Sequence, residues 1–185
     1  MGDLLKKAHK ARGSNPRQSI SFKMIGIISD THENEVATAK AAAILKEKNL
    51  DLVVHCGDII SPVMLGHFQG LKMKFVYGNN DGEKKGLNIM AKKFSFEKIT
   101  KDKEFEHQGK KFYVYHGTNE TKLDDAIKSN KYDYVLTGHT HINRDEKINQ
   151  TRVINPGALF HASPYTIALL DPENGKLEFV EIKKD

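Results

Sequence analysis

Met24-Ile25-Gly26-Ile27-Ile28-Ser29-Asp30-Thr31-His32 is the stretch that decides the fold. Its first six residues form a short, continuous apolar run, the pattern of a strand buried on both faces. Its last three put a carboxylate and an imidazole into the turn that follows. Two further stretches repeat the arrangement: Leu52-Val53-Val54-His55 runs into Cys56-Gly57-Asp58, and Lys74-Phe75-Val76-Tyr77 into Gly78-Asn79-Asn80-Asp81-Gly82. Between the first two, residues 35–48 are Ala-rich, with Val36, Ala39, Ala43 and Leu50 at near-helical spacing and Asn34 as the N-cap. Between the second and third, Ser61-Pro62 opens another helix, Ser at the cap and Pro at the first helical position. Strands alternating with helices imply parallel pairing and right-handed crossovers. Ligands of such sheets sit beyond the carboxyl ends of the strands. Asp30, His32, Asp58 and Asn79 all fall there.

Residues 84–93 are Lys-rich and predict a short helix, after which the texture changes. Phe94–Ile99, Lys103–His107 and Lys111–Tyr115 read as antiparallel strands, with Gln108-Gly109 as a turn. The third delivers His116-Gly117-Thr118. A helix from Glu120 to Ser129 precedes Tyr134-Val135-Leu136-Thr137, which delivers Gly138-His139-Thr140-His141. Strands Arg144–Ile148, Thr151–Ile154 and Thr166–Leu170 follow, then a tight turn at 171–175 and a last strand, Leu177–Ile182. The second half reads as a second sheet packed face to face with the first. No repeat or linker divides residues 24–185, which read as one domain.

The chain's 185 residues suffice for a single domain with a real core. No apolar run approaches the roughly 20 residues of a membrane span, and no secretion signal is visible. Cys56 is the one cysteine, which excludes an internal disulfide and fits a reducing, cytoplasmic setting. The net charge of +5 invites a nucleic-acid reading, but residues 1–23 alone carry that excess. The body is neutral, with 23 basic and 23 acidic side chains, so no basic groove for a long phosphate backbone is visible. Residues 1–23 read as a disordered extension or an expression remnant. The alternative is a short amphipathic helix around Leu4-Leu5-Lys6-Lys7-Ala8 that touches a partner or an anionic surface.

Collected, the strand-end residues are Asp30, His32, Asp58, Asn79, His116, His139 and His141. Carboxylate and amide oxygens mixed with imidazoles suit Mn, Fe, Zn, Ni or Co. His139 and His141 reach two ions, or one ion from two sides; two exposed, uninvolved histidines are the competing reading. Seven candidate ligands are too many for one tetrahedral ion and about right for two that also hold water. Such a pair generates a hydroxide nucleophile and clamps the oxygens of a displacement at phosphorus. Asp58, from the central turn, is the candidate bridge.

Asp30-x-His32, Gly57-Asp58, Gly78-Asn79-x-Asp81, His116-Gly117 and Gly138-His139-x-His141, in this order, resemble the five signature blocks of the calcineurin-like metallophosphoesterase superfamily. The length, and the interval from His141 to Asn155-Pro156-Gly157, resemble its small single-domain YfcE-like phosphodiesterases. The resemblance implies an α/β fold, a four-layer α/β/β/α sandwich of two facing mixed sheets with a di-metal site at one edge. It also implies that one ion takes Asp30, His32, Asp58 and His141, and the other Asp58, Asn79, His116 and His139. It brings the Gly157 amide toward the metal edge, as a substrate contact.

Two positions depart from that pattern. Many superfamily members have His where this chain has Asn80. Asn donates a hydrogen bond to a phosphoryl oxygen but is no general acid near pH 7. That disfavours monoesters with poor leaving groups. Thr118 stands where related chains often have a further His. Elsewhere, His55 and Cys56 read as packing residues, and His67, His107 and His161 as surface or satisfied histidines. Asp81 reads as an orienter of the Asn79 loop. Lys84, Lys85, Lys92 and Lys93 read as a solvated face.

The leading expectation is a cytoplasmic metal-dependent phosphoric diester hydrolase with two divalent ions, manganese first, acting on a small phosphodiester. Asp58 and Asn80 are its candidate catalytic residues. A retromer-subunit-like scaffold and a nucleotide-processing phosphoesterase or nuclease are the alternatives. Homo-oligomer formation is left open, and no membrane partner is expected.

Overall fold

The computed structural model describes residues 24–184, so the reading of residues 1–23 lies outside it. The chain begins with β1 (Ile25–Ile28), α1 (Glu35–Glu47), β2 (Leu52–His55), a 3-10 helix (Pro62–Phe68), β3 (Met73–Phe75) and α2 (Lys84–Lys93). It continues with β4 (Asp102–His107), β5 (Lys110–Tyr115), α3 (Glu120–Lys128) and β6 (Tyr134–Leu136). It closes with β7 (Asn143–Ile148), β8 (Thr151–Pro156), β9 (Tyr165–Leu170) and β10 (Leu177–Ile182).

Two five-stranded mixed sheets result, ordered β10-β9-β1-β2-β3 and β4-β5-β6-β8-β7. β1, β2 and β3 run parallel, as the strand–helix alternation predicts. Period-two alternation sorts each strand onto two faces. Ile25, Ile27, Leu52 and Val54 meet Phe112, Val114, Leu136 and Ile154 between the sheets. Ile28 and Val53 face the other way, toward Ala41 and Leu45 of α1 and Leu65 and Phe68 of the 3-10 helix. On the far side, Ile127 of α3 packs on Tyr113, Tyr115, Val135 and Val153. These are the four layers of an α/β/β/α sandwich. No helix among the described residues is long and apolar enough to cross a membrane.

The structure corrects three sequence expectations. Residues 94–99 are a connector, not a strand. The Phe94 and Phe96 amides bond back to Met90 and Ala91, closing α2, and Phe96 packs 5.3 Å from Phe75. The apolar pattern there serves helix closure. Pro62 does open a helical segment, but a 3-10 one, and Ser61 makes no side-chain cap. The second half does not form the second sheet alone. β9 and β10 return to the first sheet, β9 antiparallel to β1 and β10 antiparallel to β9. β9 lies between β1 and β10, and its run Ile167-Ala168-Leu169-Leu170 is buried on both faces. The Asn34 cap forms as expected, accepting from the Ala37 amide at 3.2 Å.

Phe112 anchors the inter-sheet layer. Its ring stacks between Phe105 (5.0 Å) and Tyr134 (4.9 Å). Phe112→Ala is expected to cost about 3–5 kcal/mol, the usual loss for a fully buried ring. Urea unfolding would show it as a lower midpoint with an unchanged slope.

Candidate metal centre

The carboxyl ends of β1, β2 and β3 face those of β5 and β6 at one edge of the sandwich. Five turns converge there, and they carry all seven candidate ligands. His141 Nε2 lies 3.3 Å from Asp30 Oδ1, and His116 Nε2 3.9 Å from that oxygen. Asp58 Oδ2 lies 3.6 Å from His32 Nε2 and 3.4 Å from His116 Nε2. The His116 and His139 rings are 5.1 Å apart. Two groups bring their ligand atoms within 4.8 Å of one another: Asp30, His32 and His141, and Asp30, Asp58 and His116. Each carboxylate thus faces a histidine from both halves of the site.

The donor set fits cations. Asp30 Oδ1 and His32 Nε2 are buried and have no hydrogen-bond partner. Asp30 Oδ2, by contrast, accepts from Ser29 Oγ (2.6 Å) and the His139 amide (3.1 Å). One oxygen is fixed and the other is left facing the cluster. His116 Nδ1 sits 2.8 Å from the Cys56 carbonyl and so carries the proton. That leaves the Nε2 lone pair 3.1 Å from the Asn79 Oδ1 lone pairs. With the Asn79 amide in this orientation, both atoms offer lone pairs to a shared cation, a proton or a metal ion. Divalent ions therefore fit these residues.

Electrostatics agree. Burial raises the Asp30 carboxyl above its ordinary pKa, against the opposing pull of His116. Burial also acts to raise Asp58, but the His116 contact and two Asn80 hydrogen bonds outweigh it and hold that carboxyl well below the usual range. His116 is raised: burial lowers it, but Asp58 and Asp30 prevail. His32 is lowered, chiefly by burial.

Behind the candidate ligands lies a layer of buried polar groups. Asp81 accepts four backbone amides: Asp58 (3.0 Å), Ile59 (2.8 Å), Ile60 (2.7 Å) and Gly78 (2.7 Å). It ties the turn after β2 to the turn after β3, and so orients Asp58. His55 is not simply a packing residue. Its Nδ1 accepts from the Gly57 amide at 3.2 Å, so Nε2 carries the proton toward Thr31 Oγ1 at 3.1 Å. Burial drives its pKa down to about 3, so it stays neutral while bridging two ligand turns. Asn155 reaches the Gly138 carbonyl (2.7 Å) and Thr140 Oγ1 (3.1 Å), fixing the His139–His141 loop. One sequence signal could have exposed His55: an imidazole inside an apolar buried strand must find partners.

The ligand turns are close and strained. Asp30, His32, Asp58, His139 and His141 all have positive φ, between 45° and 70°. Each costs about 1–2 kcal/mol relative to ordinary backbone. A Cβ on Gly78 would lie 2.1 Å from Asp58 Oδ1, and one on Gly138 2.0 Å from Ser29 Oγ. Those motif glycines are required by the close approach of the turns.

Asn80 donates from its backbone (2.8 Å) and its Nδ2 (2.7 Å) to the two Asp58 oxygens. Its side chain holds Asp58 here rather than standing free for a phosphoryl oxygen. The Gly157 amide donates to Asn155 Oδ1 at 2.9 Å, so it is engaged within its own turn rather than aimed at the metal edge. Thr118 donates to Asn79 Oδ1 at 3.3 Å.

Two facing mixed sheets with a His–carboxylate cluster at the shared edge are the architecture of the calcineurin-like phosphoesterase class. The calcineurin-like phosphoesterase superfamily domain matches residues 24–175, and the chain belongs to that superfamily. Phosphodiesterase MJ0936 of Methanocaldococcus jannaschii is 39% identical over 163 residues, covering 85% of this chain and 97% of the relative. A solved archaeal phosphodiesterase superposes with a TM-score of 0.81 at 34% identity, covering 85% of this chain and 99% of the other. The E. coli phosphoesterase YfcE shares the fold at a TM-score of 0.61 and 15% identity, with 86% of this chain and 100% of YfcE covered.

Asp81→Asn keeps the shape but replaces one accepting oxygen by an amide that faces donors. The variant is expected to lose about 2–4 kcal/mol of stability and to bind manganese roughly 10–100-fold more weakly. Thermal melts and calorimetric titration would check both.

Proposed function

We propose that this chain is a divalent-metal-dependent phosphodiesterase acting on small phosphodiesters. What supports this reading most is that Asp30 Oδ1 and His32 Nε2 are buried and unpartnered within a cluster of Asp30, His32, Asp58, His116 and His141. Two divalent ions held by Asp30, His32, Asp58, Asn79, His116, His139 and His141 would supply a hydroxide nucleophile near neutral pH and offset charge developing at phosphorus. Manganese is our first choice, and Fe, Ni, Co and Zn suit the same mixed donors.

The chain's own residues prepare that chemistry. The Cys56 carbonyl selects the His116 tautomer whose free nitrogen faces the cluster. Ser29 and the His139 amide fix the orientation of Asp30. His116 and Asn80 hold Asp58 ionised, and Asp81 fixes the turn that carries it. No imidazole stands at position 80 to protonate a departing alkoxide, which favours substrates whose leaving groups need little help. The scaffold reading is weaker because Asp30 Oδ1 and His32 Nε2 are buried without partners, a cost that folding alone does not require. The nuclease reading is weaker because the body of the chain carries no net charge.

The test is hydrolysis of a chromogenic diester and its matching monoester by metal-stripped protein, with Mn, Ni, Co, Zn or Mg added back. Metal-dependent diester turnover with little monoester turnover is expected. Asp58→Asn should abolish turnover and bound metal together. Retained turnover in that variant would overturn the assignment, and metal binding without turnover on any ester would favour the scaffold.

A further inference from the structure

Beside His32 lies a cleft of about 350 Å³ lined by His32, Glu33, Asn34, Ile60, Phe160 and Tyr165. It opens directly off a candidate ligand, because the Phe160 ring stacks on the His32 ring at 4.4 Å and 28°. The Phe160 segment is fixed to the site floor. The Leu159 amide donates to the Asp30 carbonyl at 3.2 Å, and Asn34 Nδ2 to the Leu159 carbonyl at 2.6 Å. The cleft is therefore part of the same rigid edge as the ligands.

Ile60 is the second, independent observation. It has φ of +70°, a conformation that a β-branched residue adopts only under constraint. Its amide bonds to Asp81 Oδ1 at 2.7 Å, which holds the strained backbone in place. A glycine or asparagine would sit there with less strain. The side chain is thus placed at the wall of the cleft in spite of the backbone, and what it supplies there is apolar surface. Two of the four polar side chains of the cleft offer nothing to an anion. The Asn34 amide group is committed to Leu159 and Ala37, and Glu33 is an exposed carboxylate.

We propose that this cleft receives an apolar, flat ester group of the substrate, an aryl group, while the phosphoryl group lies at the metal edge. The proposal rests on the phosphodiesterase reading and adds a substrate class to it. Pockets of this size, mostly apolar with few polar groups, suit one ring system. Glu33 disfavours a second negative charge on that group.

Phenylphosphonate and methylphosphonate present the same anion with and without a ring. Calorimetric titration of both into manganese-loaded protein, with metal content measured in parallel, tests the idea. Phenylphosphonate is expected to bind about tenfold more tightly, the scale of one aromatic contact. Ile60→Gly, which relieves the left-handed strain, is expected to fold at least as well, keep its metal and lose most of that advantage. Phe160→Leu should also reduce it. Equal affinity of the two phosphonates in the native protein would overturn the cleft proposal alone. Loss of bound metal in Phe160→Leu, with the ring preference intact in Ile60→Gly, would instead assign Phe160 to holding His32 and overturn it too. Binding of neither phosphonate to the metal-loaded protein would overturn the cleft proposal, while the phosphodiesterase reading stands or falls on the diester assay above.

Discussion

Asp30 is fully buried, yet one of its oxygens has no hydrogen-bond partner. Taking a carboxylate out of water costs several kcal/mol unless charge and donors replace the lost hydration. Here Ser29 and the His139 amide satisfy one oxygen, while His116 and His141 stand 3.9 and 3.3 Å from the other. Without a cation that balance is poor, and burial pushes the carboxyl toward its neutral form. A divalent ion reverses the sign of the problem, because the same burial then strengthens every ligand contact. The arrangement of the edge follows from this constraint. Two sheets must bring their strand ends together so that groups from both surround one buried oxygen.

The backbone bears part of the cost. Five candidate ligands sit in left-handed conformations, a few kcal/mol of strain that an isolated loop would release. Asp81 and His55 prevent that release. Asp81 gathers four amides from two turns, and His55 links the Gly57 amide to Thr31. Both are buried, and both connect turns far apart in sequence. Metal affinity should therefore depend on residues that touch no metal, because the strain is held by hydrogen bonds behind the ligands.

Much of this was legible in the sequence, for physical reasons. Ile25–Ile28 and Leu52–His55 are buried on both faces, so they had to be continuous apolar runs, and such runs are conspicuous. The candidate ligands are polar and lie directly after such runs, so position alone was enough to single them out. The return of β9 to the first sheet was not visible. Its apolar run is equally compatible with either sheet, and long-range pairing leaves no local mark. Residues 94–99 misled because aromatic residues that close a helix against a core share the composition of a strand. His55 was missed because an imidazole in a buried strand looks the same whether it packs or bridges, and only the partners decide. Asn80 was read as facing substrate, whereas its nearest acceptors belong to Asp58.

The two halves of the site differ in a way that follows from burial. His32 and His141 are half-buried, and Phe160 lies against His32. Asn79 and His139 are exposed. The side around Asp30 is shaped by packing and hydrogen bonds before any ion arrives, so little side-chain entropy remains to be lost there. The exposed side must order Asn79 and His139 against solvent when it binds. Asn79 Oδ1 lies 3.1 Å from His116 Nε2 and accepts from the Thr118 hydroxyl at 3.3 Å, where the family resemblance leads one to expect an imidazole. A hydroxyl orients the amide oxygen without adding a charge or a competing ligand. The substitution at Thr118 and the one at Asn80 thus act in the same direction. Both leave the exposed side of the edge without further imidazole, so in the proposed diesterase a larger share of substrate handling would fall on the ions and on the cleft beside His32.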